Sequence, residues 1–142
     1  MGIFSYMRKA QYYETDQMGI IHHANYIHWF EEARVDFMEK IGFGYDRVEE
    51  LGISMAVLSV KCEYKSMVRF GETMNIQISI TECSATRLTV SYRVVDTVKG
   101  ELRAIGETRH CYYDNKRRRP IVLKKASPEL YELLLSQVDN FS

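Results

Sequence analysis

The sequence predicts an α+β domain in which a five-stranded antiparallel sheet curves around one long central helix. Three observations predict it. Between Asn25 and about Ile41, apolar residues recur at spacings of three and four, the period of a helix with a broad buried face. From Thr73 to Glu82, Met74, Ile76, Ile78 and Ile80 alternate with Asn75, Gln77, Ser79 and Thr81, the pattern of a strand with one buried face. After Gly52 strand follows strand with short turns, which makes the sheet antiparallel and leaves it a single helix to cover.

The elements follow in order. Ile3 to Tyr13 is expected as a first strand, although its alternation is loose. In the long helix, Tyr26, Phe30, Ala33, Phe37 and Ile41 form the stripe, and Trp29 and Met38 widen it. So wide and aromatic a face predicts a helix enclosed by other structure. Asn25 is expected as its N-cap, and Gly42 and Gly44 as its stop. A short helix or turn is expected at Tyr45 to Leu51. A strand from Ser54 to Phe70 would be long enough to need a bulge. Thr73 to Glu82, a segment around Leu88 to Val94, and Glu101 to Tyr113 complete the sheet. Ser127 is placed to cap a last short helix, with Pro128 at its first position and Glu129 in its first turn. Long edge strands would stay unpaired in a lone copy, so edge-to-edge pairing of two copies is expected.

Whole-chain quantities narrow the functional classes. The 142 residues suffice for one domain. Lys plus Arg and Asp plus Glu are both 19, so no basic surplus points to nucleic acid as the main partner. Cys62, Cys83 and Cys111 are odd in number and widely spaced, as free thiols in a reducing cytoplasm would be. No stretch approaches the roughly 18 apolar residues of a membrane span, and Met1 to Lys9 lacks the apolar run of a secretion signal. A single cytoplasmic domain with no membrane span is the expectation.

Chemistry concentrates between Tyr12 and Arg34, YYETDQMGIIHHANYIHWFEEAR. Glu14 and Asp16 precede Gly19, and His22 and His23 precede the helix. The first N–H groups of a helix have no intrahelical acceptor and carry partial positive charge. They suit the oxygen of a polarised thioester carbonyl. A carboxylate beside them could attack that carbonyl or activate water. Gly19 would let the chain approach closely between the two. Zinc is not expected, because the adjacent His22 and His23, with His28 and Asp16, cannot easily converge on one ion.

This stretch resembles the signature of the 4-hydroxybenzoyl-CoA and YbgC-like hotdog thioesterases. Thr15, Asp16, Gly19, Asn25, Tyr26, Trp29, Phe30, Glu31, Ala33 and Arg34 match it. The strand order and the Phe70–Gly71–Glu72 turn extend the likeness over most of the chain. The resemblance implies a hotdog fold and hydrolysis of an acyl-CoA with no metal or organic cofactor. It implies Asp16 as nucleophile or general base, and the backbone N–H of His23 as the donor to the carbonyl, its side chain assisting. It also implies an active site formed across a homodimer, with homotetramers as a further state. Glu14 stands where the family usually has an aspartate, and Met67 where many relatives have a proline.

Around that centre, Gly19, Tyr26 and Glu14 are expected to contribute to substrate binding, Tyr26 as a wall of the acyl pocket. Glu31 and Arg34 are expected to pair on the helix surface. Lys116 to Arg119 form a basic run, in which Arg117 and Arg118 are candidates for holding the phosphates of coenzyme A. The same charges would suit an acidic acyl-carrier protein. A hotdog hydratase or dehydratase, and a non-catalytic acyl or CoA binder, are the alternative functions.

Overall fold

The computed structural model describes residues 2–141. Its elements are β1 (Ile3–Lys9), a 3-10 turn (Tyr12–Glu14), α1 (Asn25–Lys40), α2 (Tyr45–Glu50), β2 (Ile53–Tyr64), β3 (Thr73–Cys83), β4 (Arg87–Asp96), β5 (Leu102–Asp114), β6 (Arg119–Pro120), α3 (Leu123–Ala126) and α4 (Pro128–Ser136). The strands pair antiparallel throughout, in the order β1-β3-β4-β5-β2, with β6 beside the end of β5. This is the expected α+β hotdog architecture with one short strand added. The sequence pattern gives no hint of β6, which is only two residues long.

The apolar stripe of α1 faces the sheet. Tyr26, Trp29, Phe30, Ala33, Phe37 and Met38 are buried, opposite Met74, Ile76, Ile78 and Ile80 of β3 and Val90, Tyr92 and Val94 of β4. The Phe30 ring stacks on Tyr92, centroids 4.3 Å apart. It also lies directly over Gly106 of β5, where any Cβ would overlap the ring. That glycine is therefore what lets the central helix seat this deeply in the sheet. Burying side chains of this size stabilises by roughly 1.5–3 kcal/mol each, which far exceeds helix propensity as the reason α1 forms.

Several boundaries differ from expectation for identifiable reasons. β1 stops at Lys9, not Tyr13, because Glu14 turns back and accepts from the Gln11 N–H (2.8 Å), folding Tyr12–Glu14 into a 3-10 turn. β2 ends at Tyr64, not Phe70: Lys65 and Ser66 both donate to the Arg103 carbonyl, and Val68 then accepts from the Ile21 N–H (2.8 Å). The anticipated irregularity in this strand lies between Val57 and Ser59. Asn25 is not the N-cap but the first helical residue after Ala24, and its amide donates to the Glu14 carbonyl (2.9 Å). Arg34 turns inward to Tyr92 Oη (2.9 Å) instead of outward to Glu31. Ser127 caps α4 as anticipated, accepting from the Leu130 N–H (3.4 Å). Among the described residues no helix is long and apolar enough to cross a membrane.

Candidate active site

The loop between β1 and α1 is a miniature hairpin laid over the start of the helix. Thr15 bridges Ile21, and Asp16 N–H donates to the Ile20 carbonyl (2.9 Å). Gly19 closes the turn by donating to the Asp16 carbonyl (3.0 Å) with φ 76°. A left-handed residue is required there, and glycine takes that conformation without strain. Asp16 Oδ1 accepts from the Met18 N–H (2.8 Å), which fixes the carboxylate. Among the described residues no protein group donates to Oδ2. The partly exposed Asp16 lines a cleft of about 310 Å³ with Ile20, Ile21, His23, Tyr26, Tyr64, Lys65, Ser66 and Met67.

The helix start forms another part of that cleft. The Ala24 N–H is taken by His22 Nδ1 (3.1 Å), and the Asn25 and Tyr26 N–H groups reach back to the His22 and His23 carbonyls. The His23 N–H, by contrast, has no acceptor among the described residues. Its carbonyl is anchored by Tyr64 Oη (3.0 Å). The His23 ring stacks on His22, centroids 4.2 Å apart, and faces the edge of Tyr64. Burial raises the Tyr26 phenol to about 12, and burial with the neighbouring Cys62 raises Tyr64 to about 12. Both are therefore neutral hydroxyls near neutral pH.

The cleft thus unites Asp16, His23 and Tyr26, with Gly19 supporting it as the turn residue. Glu14 is elsewhere. It is buried beneath the loop, its carboxylate taken by Arg8, Gln11 and Trp29. Arg117 is elsewhere too, in a separate groove of about 870 Å³ shared with Arg87, Lys116, Arg119 and Lys125. Arg118 occupies the adjoining turn with φ 55°, donating its N–H to the Asp114 carbonyl. That groove lies at the Ile53 end of β2, opposite Asp114, whereas the Asp16 cleft lies at the Tyr64 end. Eleven strand steps separate the two ends, roughly 35 Å.

Sequence reasoning missed Tyr64, Lys65 and Ser66, which reach the cleft at the end of β2 and in the turn toward Ile21; Met67, singled out in the sequence only as a departure from the family pattern, joins them there. The behaviour of Met67 and Glu72 shows why that wall holds. Arg103 donates to the Met67 carbonyl (2.6 Å) and pairs with Glu72 (2.8 Å), and Glu72 accepts from the Arg69 N–H (2.7 Å). Desolvation opposes ionisation of Glu72, but Arg103 and the Arg69 N–H outweigh it and hold the carboxyl below its ordinary value.

Known proteins are similar to this chain in sequence and fold. Residues 11–134 match the model of the thioesterase-like superfamily. The DHNA-CoA thioesterase of Staphylococcus aureus superposes with a TM-score of 0.90 at 31% identity, covering 94% of this chain and 89% of that one. A hypothetical protein from Thermus thermophilus superposes with a TM-score of 0.86 at 33% identity, covering 97% and 99%. The acyl-CoA thioester hydrolase YbgC of Escherichia coli is 26% identical over 94 residues, 66% of this chain and 70% of that protein. The chain belongs to the thioesterase-like superfamily and is a thioester hydrolase of the hotdog fold.

Proposed function

We propose that this chain hydrolyses acyl-CoA thioesters, with Asp16 as nucleophile or general base and the His23 N–H as donor to the thioester carbonyl. One observation carries the reading: a carboxylate fixed through one oxygen and open at the other lines a cleft together with His23, which lies two residues before a 16-residue helix and whose N–H has no acceptor among the described residues. The carbonyl oxygen gains negative charge as the carbon is attacked, and the N–H with the helix dipole stabilises it. Asp16 either bonds to that carbon, expelling the CoA thiolate and leaving an anhydride for water to open, or takes a proton from the attacking water. In both routes the products are a carboxylic acid and CoA thiol. The neutral Tyr64 hydroxyl holds the His23 carbonyl and so keeps the donor in place, and the imidazole of His23, a residue of the cleft lining, would pass a proton to the leaving thiolate.

The distance between cleft and basic groove bears on assembly. β2 is an open edge, with Val57, Leu58, Val60 and Tyr64 exposed. Two copies paired antiparallel along this edge would bring the groove of one beside the Asp16 cleft of the other. Arg117, Arg119 and Lys125 of one copy would then face the phosphates of a CoA whose thioester lies in the other. Pairs of such dimers would form a tetramer. An acidic acyl-carrier protein would use the same groove. The free thiols at Cys62, Cys83 and Cys111 suit the reducing cytoplasm.

Free-thiol release from a panel of acyl-CoAs, alongside the melting shift with CoA alone, tests the activity. Turnover of one or more panel members supports hydrolysis, whereas a CoA-induced shift with no thiol released would make the chain a binder. The shared site is tested by co-refolding Asp16→Asn chains with Arg117→Ala/Arg119→Ala chains. Mixed dimers carry one intact site, so turnover below KM should exceed that of either parent; no recovery would refute the two-copy site.

A further inference from the structure

The carboxylate nearest to Asp16 in sequence faces away from the cleft and does a different job. Glu14 is 3% exposed. Its carboxylate accepts from Arg8 Nη1 (3.1 Å) and Nη2 (3.0 Å), from the Gln11 N–H (2.8 Å) and from Trp29 Nε1 (2.9 Å). Its backbone carbonyl accepts from the His22 N–H and from the Asn25 amide, each at 2.9 Å. One residue therefore ties β1, the 3-10 turn, the buried face of α1, and His22 and Asn25 on either side of the His23–Ala24 pair in the chain. Asp16 follows two positions later on the same strand of the hairpin.

We propose that Glu14, held by Arg8, is a positioning residue that sets the separation between the Asp16 carboxylate and the His23 N–H. The inference rests on the reading that those two groups carry out the hydrolysis. Charge-assisted bonds are short and directional, and a buried pair is little screened by salt, so the node is stiff. Near-attack geometry needs reacting atoms within about 3–3.5 Å, and a misplacement of about 1 Å can cost about a hundredfold in rate. The Thr15–Ile21 bridge and the Asp16–Ile20 bond hold the hairpin to itself, so besides the backbone bonds of the Glu14 carbonyl to His22 and Asn25 it is the Glu14 carboxylate, through Trp29, that fixes the hairpin on the helix. Arg8 also binds Glu32 through Nε (2.7 Å), and Tyr6 Oη donates to the same Glu32 oxygen (3.1 Å). Arg8 would thus keep an anionic partner when Glu14 loses its charge, so the isosteric variant is expected to fold.

The test compares native protein, Glu14→Gln and Glu14→Asp on an acyl-CoA that the native protein turns over. Melting temperature is followed together with the indole proton–nitrogen signal of Trp29, the chain's one tryptophan. Glu14→Gln should keep KM within about twofold while kcat falls about tenfold to a hundredfold, and the Trp29 indole signal should move. Glu14→Asp, which keeps the charged acceptor, should recover most of kcat. The inference is overturned if folded Glu14→Gln keeps kcat within about twofold of native. It is equally overturned if kcat loss follows melting temperature and is as large in Glu14→Asp, because that describes a stabilising residue only. A native protein that turns over nothing removes the hydrolase reading and this inference with it. Native turnover with an unimpaired Glu14→Gln removes this inference alone.

Discussion

Two neighbouring points of the loop between β1 and α1, the 3-10 turn at Glu14 and the hairpin turn at Asp16, hold like-charged side chains in opposite states. At the first, Glu14 is buried and its oxygens are taken by Arg8, Gln11 and Trp29. At the second, Asp16 is partly exposed and accepts only from the Met18 N–H among the described residues. A carboxylate whose acceptor sites are filled by charged and polar donors is a poor nucleophile and a good strut. One with an open oxygen in a cleft is available for chemistry. The difference teaches that charge and neighbourhood in sequence do not assign a role; the partners do.

Substitutions should separate the two carboxylates by what they damage. Glu14→Ala leaves Arg8 and the Trp29 N–H short of a buried partner, and should lower stability by about 3 kcal/mol, read by denaturant unfolding. Asp16→Asn, at a partly exposed position, should leave unfolding within about 0.5 kcal/mol of native. If both variants lost the same stability, the distinction between strut and open carboxylate would collapse.

Acid provides a second way to sharpen the contrast, because a group far from the loop sets the core's pH response. His110 is buried between Thr108 Oγ1 and the Met55 carbonyl, and burial, with the Arg34 charge adding to it, lowers its imidazole to about 4. The unfolded chain takes up this proton near 6.5, whereas the folded chain resists until about 4. The stability it contributes is therefore complete above pH 6.5 and is lost progressively as pH falls toward 4, by on the order of 3 kcal/mol. His110→Gln should flatten that slope in unfolding measured from pH 7 to pH 4. Activity lost over the same window in native protein but retained by the folded variant would trace the acid loss to the core instead of to Asp16.

The smallest effect is expected at the turn itself. A Cβ at Gly19 meets nothing within 4 Å, so Gly19→Ala is opposed only by the φ of 76°. The cost should be about 1 kcal/mol in stability, with a drop of several-fold in kcat as the Asp16 turn relaxes. An unchanged kcat would mean that the loop tolerates a different turn, and that Asp16 is placed by contacts outside it.

Much of the fold was legible because period carries it. Met74 to Ile80 and the Tyr26–Phe37 stripe specify a strand face and a helix face without reference to anything distant. Ser127–Pro128–Glu129 likewise encodes its own cap. What local sequence does not encode is where a carboxylate or an amide points. Asn25 has the chemistry of an N-cap, yet its amide serves the Glu14 carbonyl, a contact settled by how the hairpin lies on the helix. Arg34 has the spacing for Glu31 but is drawn to Tyr92 across the core. The candidate site divides the same way. Asp16, His23 and Tyr26 belong to one contiguous segment and meet in one cleft, while Tyr64 to Met67 join them only through the turn after β2. Arg117 and Arg118 are distant for a simple reason: a twelve-residue strand stands between the two ends of the sheet.

In the proposed mechanism the open carboxylate of Asp16 drives thioester hydrolysis. The most direct measurement is the rate of free-thiol release by native protein and Asp16→Asn side by side, on the preferred acyl-CoA, with melting curves matched. The folded variant should turn over at a rate lower by about a hundredfold or more. A folded variant that retains turnover within about threefold of native would contradict it and move the chemistry to another group in the cleft.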